Sequence, residues 1–198
     1  MIVVVAAVKG GVGKTTSSVY LAAVASGRRT VTIVDADPQA SAAEWVEQSV
    51  DERLKAIKVV EAPTERLVAK AFERMGDDEL VVIDTPPANE RFLSRLVERG
   101  DVVVIPTRVG GIEAPRVETV LNLVPDRIPA GLVICSARTF TRDYHETVAA
   151  WSEAKVPVWG TVPERVAIAA GPTGPLNEEG LEAYRKVWRR VQTAARSR

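Results

Sequence analysis

Lys9-Gly10-Gly11-Val12-Gly13-Lys14-Thr15-Thr16 is the stretch from which the rest of the sequence can be read. It follows an apolar, β-branched run, Ile2–Val8, and leads into a segment of helical period, Lys14–Ala25. Glycines at such a junction let backbone N–H groups turn inward onto an anion, and the helix N-terminus adds its positive end. Lys14 supplies a point charge for the β- and γ-phosphates of a nucleotide, and the Thr15 hydroxyl is placed to ligate Mg²⁺. The general phosphate-loop pattern, G-x-x-x-x-G-K-[ST], asks for glycine where this chain has Val8. The pattern that fits is the variant K-G-G-x-G-K-[ST], with an additional lysine, Lys9, at the start of the loop.

Outward from the loop, short β-branched runs alternate with longer stretches of helical period. The strand candidates are Ile2–Val8, Thr30–Val34, Ile57–Val60, Leu80–Ile83, Val102–Ile105, Leu132–Ile134 and Val156–Trp159. Several are apolar throughout, as parallel strands covered on both faces are. Helix candidates are Lys14–Ala25, Ser41–Gln48, Glu65–Met75, Glu90–Glu98, Glu113–Leu123, Thr141–Lys155 and a final one from Asn177 to Ala195, after the loop Gly171–Pro175. The alternation predicts an α/β fold: a doubly wound, mostly parallel sheet with helices on both faces, forming one domain over residues 1–198. The composition agrees with one soluble globular unit, since 46% of the 198 residues are hydrophobic and 26% charged. Lys plus Arg and Asp plus Glu number 26 each, so any nucleic-acid or membrane contact must come from a local patch. A single cysteine, Cys135, excludes an intramolecular disulfide and a thiolate-held cluster. The early apolar run Met1–Val8 is too short to span a bilayer and has no basic flank, so a cytosolic protein is expected.

In open parallel sheets ligands bind beyond the carboxyl ends of the strands. Three chemically loaded segments stand there: the loop itself, Asp35-Ala-Asp-Pro-Gln39 after the second strand, and Asp84-Thr-Pro-Pro87 after the fourth. Together they carry a family resemblance. Residues 8–16 resemble the deviant Walker A motif of the ParA/MinD ATPases, and Val34–Ser41, with Trp45 following, resembles the ParA form of their second nucleotide motif. Val82-Ile-Asp84-Thr-Pro-Pro resembles their Walker B and switch region, and Gly100–Thr107 with Gly111-Ile-Glu resembles the strand and loop that come next. The resemblance implies a P-loop NTPase of the deviant Walker A group.

It also implies roles. Lys14 would neutralise the phosphates within its own subunit, while Lys9 would reach across a face-to-face dimer to the partner's nucleotide and stabilise charge during γ-phosphate transfer. Gly10, Gly11, Val12, Gly13 and Thr16 would complete the phosphate cradle. Asp37 would position or activate the attacking water, with turn chemistry before Pro38 as its alternative role. Thr15, Asp35 and Asp84 would lie at or near the Mg²⁺ shell. The Pro86-Pro87 pair would stiffen a switch that senses the γ-phosphate, carrying Asn89–Arg95 with it. The family's usual base-contacting asparagine is replaced by Cys135-Ser136, while Val162–Val166, including Pro163, resembles the late loop that lines the base pocket. The implied protein is a slow ATPase requiring ATP and Mg²⁺ that segregates plasmid or chromosomal DNA. It would dimerise on ATP binding, coat nucleoid DNA without sequence preference, and be released by a centromere-binding, ParB-like adaptor; no helix-turn-helix extension of the operator-binding kind is expected.

Between Leu181 and Arg198 six basic residues (Arg185, Lys186, Arg189, Arg190, Arg196, Arg198) face one acid, Glu182. Leu181, Tyr184, Val187, Trp188, Val191 and Ala195 recur at helical spacing beside them. Three readings stand: a helix packed on the sheet with a solvated basic face, a DNA-phosphate surface that Arg138, Arg142 and Arg165 extend, or a membrane-surface helix as in a MinD-like positioning ATPase. No membrane partner is expected.

Overall fold

The computed structural model describes residues 1–27, 29–87 and 89–197. Seven strands form one sheet: β1 (Ile2–Val5), β2 (Val31–Asp35), β3 (Lys58–Glu61), β4 (Leu80–Asp84), β5 (Val102–Thr107), β6 (Ala130–Ala137) and β7 (Val158–Pro163), in the order β3-β2-β4-β1-β5-β6-β7. Every pairing among the described residues is parallel.

Alternation of side chains along each strand divides the core in two. Val3, Val5, Ile33, Leu80, Val82, Val102, Val104 and Val133 face one layer of helices: α1 (Lys14–Ser26), α2 (Ser41–Gln48), α3 (Glu52–Lys55), α8 (Val166–Ala169) and α9 (Glu178–Arg196). Val4, Val34, Val81, Ile83, Val103, Ile105 and Leu132 face the other: α4 (Glu65–Phe72), α5 (Glu90–Val97), α6 (Ala114–Leu123) and α7 (Arg142–Glu153). The central strands are buried along their whole length, which is why they read as unbroken apolar runs.

β1 is shorter than its apolar run. Val5 is its last paired residue, held by Asp84 of β4 and Val104 of β5; one further bond, Ala6 N–H to Val104 O, leads the chain out of the sheet into the loop. β7 starts at Val158 instead of Val156, because Lys155 adopts a left-handed φ of 57° and the Val156 N–H closes α7 by donating to Trp151 O. The single turns α3 and α8 lie in segments that carry no sustained helical period.

α9 packs on β7 and α1, and its apolar stripe is spent in this contact. Leu181, Tyr184, Val187, Trp188 and Val191 are buried. The approach is close enough that a Cβ on Gly160 of β7 would lie 2.5 Å from Val187 Cγ2. The Tyr184 ring sits 5.3 Å from that of Tyr20 on α1. Of the six cations expected in this segment, Arg198 lies outside the described residues. Among the described residues no helix is long and apolar enough to cross a membrane.

Asp51 ties the chain's end to its middle. Its carboxylate caps α3 through the Arg53 N–H, takes the Arg53 guanidinium at 2.7 Å, and accepts the Leu176 N–H at 2.9 Å. The Arg53 hydrogen bond holds the Asp51 carboxyl at about 2, below the ordinary 3.8. A depressed acid stabilises the fold above its unfolded pKa and loses that effect as pH falls towards its folded one. Asp51→Asn is therefore expected to reduce unfolding free energy by about 1–2 kcal/mol at pH 7, allowing for the half-exposed arginine. The difference from the parent should fade as pH drops from about 4 towards 2, which urea titrations at the two extremes would measure.

Candidate nucleotide-binding site

The strand order reverses around β1, so its carboxyl end opens a crevice at the point where ligands of open parallel sheets sit. The loop from Lys9 to Gly13 turns there and launches α1. Gly13 precedes the helix with φ 103°, and Gly11 has φ 75°, a region that favours glycine. A Cβ on Gly13 would also meet Cys135 Sγ at 3.1 Å. The cysteine thus forms the floor beneath the loop, buried with Ser17 and Tyr184, and burial pushes its thiol up to about 11. It is a packing group, as a lone buried cysteine usually is.

A cleft of about 360 Å³ opens above this floor, a size suited to a small ligand. Gly10 through Thr16 form one wall, and Asp37, Ser41 and Pro87 line it from the neighbouring strand ends. The other side is formed by Arg108, Ser136, Pro163, Arg165 and Tyr184. Pro163, expected in the late loop, lines the cleft. Arg108, one residue beyond β5, is a cleft residue that motif matching missed, and its position at a strand end was the signal for it; Ser41, at the start of α2, lies inside the second motif but was given no role.

Lys14 is buried, and its Nζ donates to the Lys9 carbonyl at 3.0 Å. Burial lowers its pKa, and the charges of Asp84 and Asp37 oppose that shift. Thr15 Oγ1 donates to Asp84 Oδ2 at 2.7 Å, and Ser18 Oγ donates to Asp84 Oδ1 at 3.0 Å. Burial is the main cause that raises the Asp84 carboxyl to about 7, with Asp35 adding repulsion and the two hydroxyls pulling the other way. A hydroxyl and a carboxylate side by side are hard oxygen donors. Their chemistry fits Mg²⁺, which takes oxygen ligands. Among the described residues no three His, Cys, Asp or Glu side chains gather into a metal cluster.

Asp35 pairs in register with Asp84 across β2 and β4, yet its carboxylate is taken up by the backbone. Oδ1 accepts from the Asp37 N–H, and Oδ2 accepts from the Ala42 and Ala43 N–H groups at 2.9 and 3.0 Å. Ala40, the residue before α2, offers no side-chain cap, so Asp35 satisfies that helix start from the strand. The residue expected near the metal shell is thus built first as a helix cap. Asp37 lines the cleft and also makes the turn bond expected of it, accepting from the Gln39 N–H. Lys9 points away from the cleft, towards α6, where its Nζ meets Glu113 Oε1 at 2.7 Å. The three arginines expected to extend the basic patch are each matched by an acid: Arg138 by Glu164, Arg142 by Glu146 and Arg165 by Glu179.

Comparison with known proteins places this arrangement. A model of the CobQ/CobB/MinD/ParA nucleotide binding domain matches residues 3–174. The maintenance of carboxysome distribution protein A of Gloeobacter kilaueensis is 38% identical over 125 residues, covering 62% of this chain and 55% of that protein. Protein ParA of Rhizobium radiobacter is 33% identical over 116 residues, covering 57% and 51%. The chain spans about half the length of the curated relatives it matches. A plasmid partition protein from Borrelia burgdorferi, solved with AMPPNP, superposes with a TM-score of 0.78 over 97% of this chain and 98% of that one, at 20% identity, a likeness of fold.

The left-handed backbone at Gly13 and the thiol beneath it make this position intolerant of a side chain. Gly13→Ala is expected to weaken nucleotide binding at least tenfold by calorimetry, since the loop must shift by a few tenths of an ångström against Cys135 and leave its favoured φ, a strain of roughly 1–2 kcal/mol.

Proposed function

The chain belongs to the CobQ/CobB/MinD/ParA nucleotide-binding family, and on that premise we propose that it is a ParA-type ATPase that positions a cargo by cycling on and off DNA. The observation that carries the reading is the Thr15–Asp84 hydrogen bond at the mouth of a loop whose helix is already formed. It brings together a hydroxyl and a carboxylate that on this reading belong to a Mg²⁺–ATP site. On this reading the loop N–H groups and Lys14 bind the phosphates, and Thr15 and Asp84 would hold Mg²⁺, which would supply charge neutralisation to the phosphates. Asp37 accepts a proton from the water that attacks the γ-phosphorus as the bond to the bridging oxygen of ADP breaks. Lys9 acts on the nucleotide of a second copy, since it stands outside its own cleft, and hydrolysis ends the dimeric state. The loop Asp84-Thr-Pro-Pro87 links the nucleotide to the surface, with the Thr85 hydroxyl anchored to Val5 O at 2.8 Å.

The DNA surface on this reading is the outer face of α9. Arg189, Arg190 and Arg196 are exposed, and Lys186, Arg189 and Arg190 surround the Trp159 indole in a shallow depression. Such a face contacts phosphates without reading bases. A membrane anchor would need the apolar stripe of α9, which is buried against β7 and α1. The relatives named for ParA and for carboxysome distribution support a positioning role; the cargo on this reading is either a DNA bound by a ParB-like adaptor or another body carried over the nucleoid. The protein acts in the cytoplasm, on nucleoid DNA.

Two experiments test the reading. With a non-hydrolysable ATP analogue and Mg²⁺, the protein is expected to co-sediment with duplex DNA of arbitrary sequence and not with anionic liposomes. Arg189→Glu combined with Arg190→Glu should cost at least tenfold in DNA affinity and flatten the salt dependence, with nucleotide affinity unchanged. Co-sedimentation with liposomes alone would transfer the reading to a membrane-positioning ATPase. Asp37→Ala is expected to bind ATP and stay on DNA while turnover falls by roughly 10²-fold or more, because only the transition state loses a contact. Unchanged phosphate release in that variant would return Asp37 to a turn residue.

A further inference from the structure

The Lys9–Glu113 ion pair joins the loop after β1 to the turn after the neighbouring strand β5, 104 residues apart in sequence. Glu113 closes a 3₁₀ turn, Gly111–Glu113, between β5 and α6. Its side chain is 6% exposed, against 40% for Lys9, so the acid is the fixed member of the pair and the lysine the movable one. The turn is itself anchored: Gly110, at φ 116°, donates its N–H to Thr147 Oγ1 on α7. Lys9 and Glu113 meet with Val12, Ile105 and Val117 around a small gap beneath α6, on the far side of the loop from the phosphate cleft.

We propose that Glu113 is a positioning residue that holds Lys9 in the single subunit, so that the nucleotide of a second copy must draw Lys9 off Glu113 before two subunits close. The proposal rests on the reading of Lys9 as acting across a dimer. Arg116 makes the exchange feasible. Its guanidinium lies 3.6 Å from the same Glu113 Oε1 and is fixed by a 2.8 Å bond to Ile112 O. When Lys9 leaves, the nearly buried carboxylate keeps a cationic neighbour, which avoids the large cost of an orphaned internal charge. A triphosphate carries more negative charge than a single carboxylate already shared with an arginine, and it competes for the amine on that basis. A diphosphate competes less well. The pair therefore sets a threshold that separates the two nucleotide states, and each dimer must open two such pairs.

The association state of the full chain, followed by sedimentation velocity with Mg²⁺ and a non-hydrolysable ATP analogue, tests the proposal. Glu113→Gln keeps the shape and removes the charge, and it is expected to dimerise more tightly than the parent, by on the order of tenfold in dimer dissociation constant. A loss of packing alone would not tighten association. Lys9→Ala is expected to stay monomeric, and adding Glu113→Gln to it should change nothing. Lys9→Ala dimerising as the parent does would remove the cross-subunit reading itself, a result separate from the behaviour of Glu113. Should Glu113→Gln unfold, Glu113→Asp shortens the side chain by one methylene and draws the carboxylate back from Lys9, and it is expected to tighten the dimer in the same direction. Dimerisation equal to or weaker than the parent in the folded variant, or a gain that persists without Lys9, overturns the proposal.

Discussion

A sheet of parallel strands cannot leave a face to water, and most of this molecule follows from that constraint. Each crossover must carry a helix over one face or the other, so apolar layers are needed on both sides of β1, β4 and β5. What remains exposed is the rim where strands end and helices begin. The polar groups in and around the cleft are gathered there: the loop after β1, Asp35 at the end of β2 with Asp37 beyond it, Asp84 at the end of β4, and Arg108 after β5. The core is therefore a device for bringing remote segments of sequence to one edge with fixed spacing.

That edge holds an uneven set of charges. Asp84 and Asp35 are buried neighbours in register, and Lys14 is a buried cation near Asp84. Burial disfavours all three charged forms, raising the acids and lowering the lysine. The structure separates the two acids by giving them different partners. Asp35 receives backbone N–H groups and serves the start of α2, while Asp84 receives the hydroxyls of Thr15 and Ser18. A hydroxyl can turn from donating to a carboxylate to ligating a cation, whereas a backbone N–H of a helix cannot. Only one of the acids is thus free to change partner.

The fold was largely legible in the residues. Each of the seven strands overlaps an expected apolar run and the longer helices overlap expected helical periods, because covered parallel strands and amphipathic helices write different patterns. The misses have local causes. β1 ends early since the loop, not the run of valines, decides where the chain leaves the sheet. β7 is displaced by the left-handed turn at Lys155, a geometry that lysine does not advertise. At the site, the turn of the loop into α1 was readable because it lies in eight consecutive residues. The capping role of Asp35, the Cys135 floor under Gly13 and the seat of Lys9 on Glu113 depend on partners brought together by the sheet, and no spacing in a single sequence encodes them.

The bond from the Lys14 amine to the Lys9 carbonyl has a bearing on which anions the loop can retain. The amine is already solvated by the chain's own oxygen and by two nearby carboxylates, so an incoming anion gains only the difference between its own attraction and theirs. Free inorganic phosphate, reaching one amine and a few N–H groups, gains little from that trade. A polyphosphate that spans the whole loop replaces the lost bond many times over. An anion that meets the loop must therefore replace an existing bond of the Lys14 amine, and the margin it gains grows with the number of loop N–H groups it can reach.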